Sequence, residues 1–118
     1  MTIIRSIAAG LILSTTVLSV ASAETFRGRF DVDAYDDTTI DIDVCAPYAT
    51  LKVEGDGDTD LDFYLYDPRG NKIFADEDLV DWTMVNINHG SNKCQTYAID
   101  IVNFGDVYNR FTITLTEL

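Results

Sequence analysis

Asp60-Leu61-Asp62-Phe63-Tyr64-Leu65-Tyr66 alternates apolar side chains with acidic residues and tyrosines. A period of two belongs to extended chain, whose successive side chains leave opposite faces. Leu61, Phe63 and Leu65 are therefore expected to enter a core, with Asp62, Tyr64 and Tyr66 on the other face. The same pattern recurs on both sides of this run. Thr39-Ile40-Asp41-Ile42-Asp43-Val44-Cys45 precedes it, and Tyr97-Ala98-Ile99-Asp100-Ile101-Val102 and Arg110-Phe111-Thr112-Ile113-Thr114-Leu115-Thr116 follow, rich in β-branched and aromatic residues. Leu51 and Val53 supply another inward face, Ile73 a short one, and Met84, Val85 and Ile87 a looser one, while Phe26 and Phe30 open the series.

Between these runs lie turn-forming residues: Ala46-Pro47, Gly55-Asp56-Gly57-Asp58, Asp67-Pro68-Arg69-Gly70-Asn71, Asn88-His89-Gly90-Ser91-Asn92 and Asn103-Phe104-Gly105-Asp106. About seven to eight short strands with such punctuation predict an all-β, antiparallel, jelly-roll-like sandwich. No stretch carries the 3.6-residue period that a helical or α/β fold requires.

The chain begins with Arg5, an apolar stretch from Ile7 to Val20 and the small-residue ending Ala21-Ser22-Ala23. This order is that of a cleavable export leader over residues 1–23; the other reading is an uncleaved N-terminal anchor. Gly10 and Ser14-Thr15-Thr16 interrupt the apolar stretch and leave it short for a membrane span. The mature protein is then one domain, 24–118, secreted or periplasmic and without membrane insertion once the leader is removed. All 20 acidic residues and seven of the eight basic ones lie after residue 23, a net charge of −13. Such a balance argues against nucleic acid and anionic membrane surfaces, which need basic patches. Cys45 and Cys94, the two cysteines of an exported chain, are expected to form one disulfide, the alternatives being free thiols or a metal pair. His89 is the one histidine, and no His or Cys stands at zinc-ligand spacing.

The densest carboxylate run is Gly55-Asp56-Gly57-Asp58-Thr59-Asp60-Leu61-Asp62. If extended, it projects Asp58, Asp60 and Asp62 to one side, where like charges repel unless a cation intervenes. Calcium, which takes six to eight oxygen ligands in loose geometry, is the expected ion. The candidate ligands are Asp56, Asp58, Asp60 and Asp62, completed by Asp76 and Asp78 of a second cluster that also contains Glu77 and Asp81; Asp36-Asp37 forms a third. The competing reading makes all of them solvated carboxylates capping their own turns. An EF-hand fits less well. Asp56, Asp58, Asp60 and Asp67 fall at its positions 1, 3, 5 and 12, but Leu61 replaces the glycine at position 6 and Phe63 to Tyr66 reads as strand.

The run from Gly55 to Asn71, with Tyr97-x-Ile99-x-Ile101-Val102-Asn103-x-Gly105 and Asn109-x-Phe111-x-Ile113, resembles the bacterial pre-peptidase C-terminal (PPC) domain family over most of residues 40–116. The resemblance implies a jelly-roll-like sandwich of the kind appended to secreted peptidases and related to the calcium-dependent collagen-binding domains of bacterial collagenases. It implies hallmark roles for Asp60, Asp62, Asp67, Gly70 and Asn103 at the sandwich end, around an ion. The acidic linker ligands of the collagen-binding branch have no counterpart here, and no peptidase domain accompanies this copy.

No nucleophile stands with a base in a catalytic motif, and a glycosidase-like carboxylate pair needs a deep cleft that a small sandwich rarely offers. The expected role is that of a non-catalytic module binding an unidentified protein or glycan, with Trp82, Tyr64 and Tyr66 as an exposed aromatic patch; packing against a neighbouring strand is the other reading of each ring. The alternatives are a purely structural, calcium-stabilised envelope protein and an accessory or inhibitor domain acting with a separate secreted peptidase. An exposed Trp82 beside exposed tyrosines favours a ligand surface, and a buried Trp82 removes it.

Overall fold

A computed structural model describes residues 24–118; the leader expected over residues 1–23 lies outside the described residues. Eight strands and no helix make up the described chain: β1 (Glu24–Val32), β2 (Asp37–Val44), β3 (Tyr48–Glu54), β4 (Leu61–Tyr66), β5 (Lys72–Asp76), β6 (Trp82–Asn88), β7 (Gln95–Asn103) and β8 (Asn109–Glu117). They form two four-stranded antiparallel sheets, a first in the order β1-β8-β3-β6 and a second in the order β2-β7-β4-β5. The pairings β1 with β8, β2 with β7, β3 with β6 and β4 with β5 are those of one long hairpin rolled onto itself, the jelly-roll arrangement.

Alternation carries the packing. Leu61, Phe63 and Leu65 are fully buried, and so are Leu51, Val53, Ile99, Ile101, Phe111 and Ile113, which together fill the space between the sheets. Burying each such side chain stabilises the fold by roughly 1.5–3 kcal/mol before ordering costs. Phe30 lies against Phe111 with ring centroids 5.8 Å apart. Gly28 stands between Phe26 and Phe30 on the same inward face, and a Cβ there would come within 2.9 Å of the Phe30 ring. The two rings therefore close over Gly28, and a side chain there would have to push them aside.

Two inward assignments change. Ile73 is half exposed, and Phe74 takes the inward place beside the core, because the register of β5 on β4 sets Phe74 opposite the inward-facing Leu65. In β6 the inward residues are Thr83, Val85 and Ile87, which leaves Met84 outside.

Cys45 and Cys94 form the expected disulfide. The pairing of β2 with β7 ends at Val44 opposite Gln95, so the bridge continues that register by one step and joins neighbouring strands that are distant in sequence. Such bonds persist in oxidising surroundings. Around it, Glu117 accepts hydrogen bonds from the backbone N–H of Cys45 and Ala46 at 2.5 and 2.7 Å. The His89 ring accepts from the Ser91 N–H at Nδ1, so its Nε2–H donates to the Val44 carbonyl, 3.1 Å away. The single histidine thus ties the β6–β7 turn to the end of β2.

Candidate functional site

The winding brings four loops to one end of the sandwich: 33–36, 55–60, 77–81 and 104–108. They carry nine of the 20 acidic residues, and the acidic clusters far apart in sequence become neighbours. The disulfide and the loops between β2 and β3, β4 and β5, and β6 and β7 occupy the opposite end.

Two buried asparagines organise the acidic end. Asn109, fully buried, accepts the Asp56 N–H at 3.1 Å and donates through Nδ2 toward Thr59 Oγ1 at 3.0 Å and Asp81 Oδ2 at 3.3 Å. Asp81 also accepts the Gly55 N–H through its backbone carbonyl at 2.8 Å and the Gly57 N–H through Oδ2 at 2.6 Å. A Cβ on Gly55 would collide with that carboxylate. Asn103 has the same office one turn away: its Nδ2 points to the carbonyls of Val107 and Asp33 at 2.8 and 3.1 Å, and its Oδ1 accepts the Gly105 N–H at 2.9 Å. The resemblance singled out Asn103. Asn109 and Asp81 had no assigned role, although an asparagine on each side of the 104–108 turn was the available signal.

The six candidate calcium ligands divide into different roles. Asp56 accepts the N–H of Asp58 and of Arg110, and Asp76 accepts the Thr83 hydroxyl at 2.6 Å and the Asp78 N–H, so both act as turn caps. Asp58 and Asp78 are exposed. β4 starts only at Leu61, so Asp58 and Asp60 do not extend its alternation. The chain turns at Gly57, whose φ of +85° lies in the left-handed region, while Asp81 grips Gly55 and Gly57. Asp58, Asp60 and Asp62 therefore do not line one strand face. Asp60 holds one oxygen, Oδ1, buried without a hydrogen-bond partner. Asp62 is 8 % exposed, and its carboxyl is pushed above the usual carboxylate range by burial, then by the charge of Asp60. The Tyr64 hydroxyl lies 2.6 Å from Glu77 Oε2 and 3.3 Å from Asp62 Oδ2. With one proton to donate it favours the nearer Glu77, and this bond raises the ionisation of the phenol above its ordinary value. No group of three or more His, Cys, Asp or Glu side chains among the described residues is spaced to hold a metal ion.

The aromatic patch is also divided. Tyr64 and Tyr66 lie on the outer face of the second sheet, with Lys72 Nζ over the Tyr64 ring at 5.1 Å from its centroid. Trp82 belongs to the first sheet and leaves its outer face, 51 % exposed, beside the half-exposed Met84. The three rings cannot share one surface, because a sandwich turns the outer faces of its two sheets away from each other.

The outer faces also differ in charge. The second sheet displays Asp37, Asp41, Asp43, Asp62 and Asp100 against Lys72. Burial, a hydrogen bond with Asp37 and the charge of Asp37 push the Asp100 carboxyl up to about 6, against the opposing bond from Thr39. The first sheet displays Arg27, Arg29, Lys52 and Arg110 against Asp31 and Glu54. Neither a protein-family model nor a curated protein matches this chain.

Proposed function

We propose that this chain is an exported, non-catalytic β-sandwich module, secreted or periplasmic, that binds a protein or glycan through the outer face of its first sheet, around Trp82. The carrying observation is the adjacency of Trp82 and Met84, about half exposed and side by side on the outer face of an edge strand, whereas Leu79, Val80, Phe104, Val107 and Tyr108 are exposed at the loop end of the sandwich. An indole left in water forfeits the stabilisation of its burial, and aromatic residues on open surfaces are characteristic of contact sites. The use of His89 in a turn and of Asp56, Asp76 and Asp81 as caps supports a structural rather than a catalytic role for these groups. The export leader, the disulfide and the resemblance to PPC domains support the compartment and the module-like character.

A calcium ion at the acidic end is a second element of this reading, favoured by the unpartnered Asp60 oxygen beside the crowded Asp62 carboxylate. Asp60 and Asp62 would hold it, and it would supply charge neutralisation to the loops.

The test is retention of the disulfide-bonded protein on immobilised cell-wall polysaccharides and on gelatin, compared with Trp82→Ala. Retention on at least one matrix that is lost in the variant is expected. Equal behaviour of the two proteins on every matrix would remove the face from consideration and leave a purely structural role.

A further inference from the structure

We propose that the ligand of the first sheet's outer face is an acidic polysaccharide of the uronate class, lying across β8 and β3 with its carboxylates on the arginines of β1 and a sugar ring on Trp82 of β6. This inference rests on the reading of that face as a ligand surface and specifies its chemistry.

The registers of β1, β8, β3 and β6 place the outward side chains in three rows. One row is Arg29, Thr112, Glu54 and Trp82; the next is Arg27, Thr114, Lys52 and Met84; the third is Thr25, Thr116, Thr50 and Asn86. Every outward residue of β8 from 112 to 116 is a threonine, shorter than the arginines of β1 on one side and than Lys52 and Glu54 on the other. A threonine-floored strip therefore runs along β8. Strands in a sheet are about 4.8 Å apart, so about 14 Å separates the arginines of β1 from Trp82 on β6.

Charge is unevenly placed on this molecule. Of the seven basic residues after position 23, four lie on this face, although residues 24–118 carry a net charge of −13. The two acids of the face are already engaged, Asp31 with Arg110 at 2.8 Å and Glu54 with Lys52 at 3.4 Å. Arg27 and Arg29 are thus its surplus positive charge. They lie two residues apart on the same side of β1, about 6.6 Å along the strand. Guanidinium groups bind carboxylates through paired hydrogen bonds, hydroxyls and the Asn86 amide suit sugar hydroxyls, and the indole offers an apolar plane to a sugar ring.

An acidic polypeptide would satisfy the charges but not the rest of the arrangement. Peptides bind sheets mainly by pairing with an exposed edge or by filling apolar pockets with alternate side chains. The hydroxyl strip of β8 lies in the middle of the first sheet, between β1 and β3, where its backbone is already paired on both sides.

Trp82 is the only tryptophan, so its emission reports directly on this face. The test is an emission titration of the disulfide-bonded protein with an oligogalacturonate, with a neutral galacto-oligosaccharide of the same length and with poly-glutamate. EDTA is present throughout, so that calcium cannot bridge the glycan to the acidic loops. The expected result is a saturable change with the oligogalacturonate alone, weakened by salt. Affinity should fall at least about tenfold in Arg27→Ala/Arg29→Ala, as expected for loss of charge-assisted hydrogen bonds. Both arginines are exposed, and unchanged urea unfolding of the double variant would show the fold intact. An equal response to the neutral sugar, unaffected by the arginine variant, would overturn the uronate assignment while keeping the ligand face. A response to poly-glutamate alone would overturn the glycan. Silence with every probe would overturn this inference, leaving the ligand face itself to the retention experiment.

Discussion

Replacing Asp100 by asparagine should make the protein more stable at neutral pH, and the gain should shrink in acid. Asp100 lies on the outer face of β7, hydrogen-bonded to Asp37 and receiving the Thr39 hydroxyl at 3.2 Å. Its carboxyl is pushed up to about 6 from an ordinary 3.8, first by burial and then by Asp37. Because the folded protein holds this proton more tightly than the unfolded chain, protonation favours folding. The stability it contributes is complete below about pH 4 and is lost as pH rises through about 6. At about 1.4 kcal/mol per pH unit the full difference is about 3 kcal/mol, which solvent screening at a partly exposed group reduces to about 1–2 kcal/mol. The side chain introduced by Asp100→Asn would resemble the protonated acid: its amide can donate to Asp37 and its carbonyl can still accept from Thr39. Urea unfolding should therefore give the variant an advantage of about 1–2 kcal/mol at pH 7.5, shrinking by about half at pH 4.5. An advantage of the same size at both pH values, or none at pH 7.5, would refute the reasoning.

Removing the disulfide by Cys45→Ser with Cys94→Ser opens a loop with a sequence separation of 49 and should cost about 4 kcal/mol, read as a lower urea midpoint; a loss below about 1 kcal/mol would contradict the chain-entropy account. Asn109→Ala strips the Asp56 N–H and the Asp81 carboxylate of a buried partner and should cost about 2–4 kcal/mol, with amide exchange of residues 55–57 accelerating before that of β4. Melting in calcium chloride should occur at a higher temperature than melting in EDTA, and Asp60→Asn should reduce the difference; coincident melts would take the metal out of the account.

The acidic end was only partly legible. Its carboxylates were visible as a run, but their roles depend on which loops meet. Asp81 reads in sequence only as a member of the second acidic cluster, yet it holds Gly55 and Gly57 because β3 and β6 are neighbours in the first sheet. Asp58 and Asp60 obey the alternation of the run on paper, and the turn at Gly57 takes them off the strand. Strand periodicity predicts direction only where backbone pairing keeps the chain extended. Ile73 shows a related limit: a lone apolar residue in a short strand does not reveal which of two neighbours faces in, and the pairing of Phe74 with the inward Leu65 decides it.

Sequence by itself determined that this chain forms short strands with Leu61, Phe63 and Leu65 turned inward, and it pointed to the pairing of its two cysteines that the structure shows. Side-chain direction along extended chain is a local property with a period of two, and the bridge was expected because the chain has only two cysteines, which suits one pair. Tertiary structure alone decided which strands became neighbours, and so which outward residues share a face. Tyr64 and Trp82 each point outward as their own strands dictate, but β4 and β6 belong to different sheets, and a sandwich separates their outer faces by its whole thickness. The collection of four cations on one face and five aspartates on the other follows from that same non-local pairing.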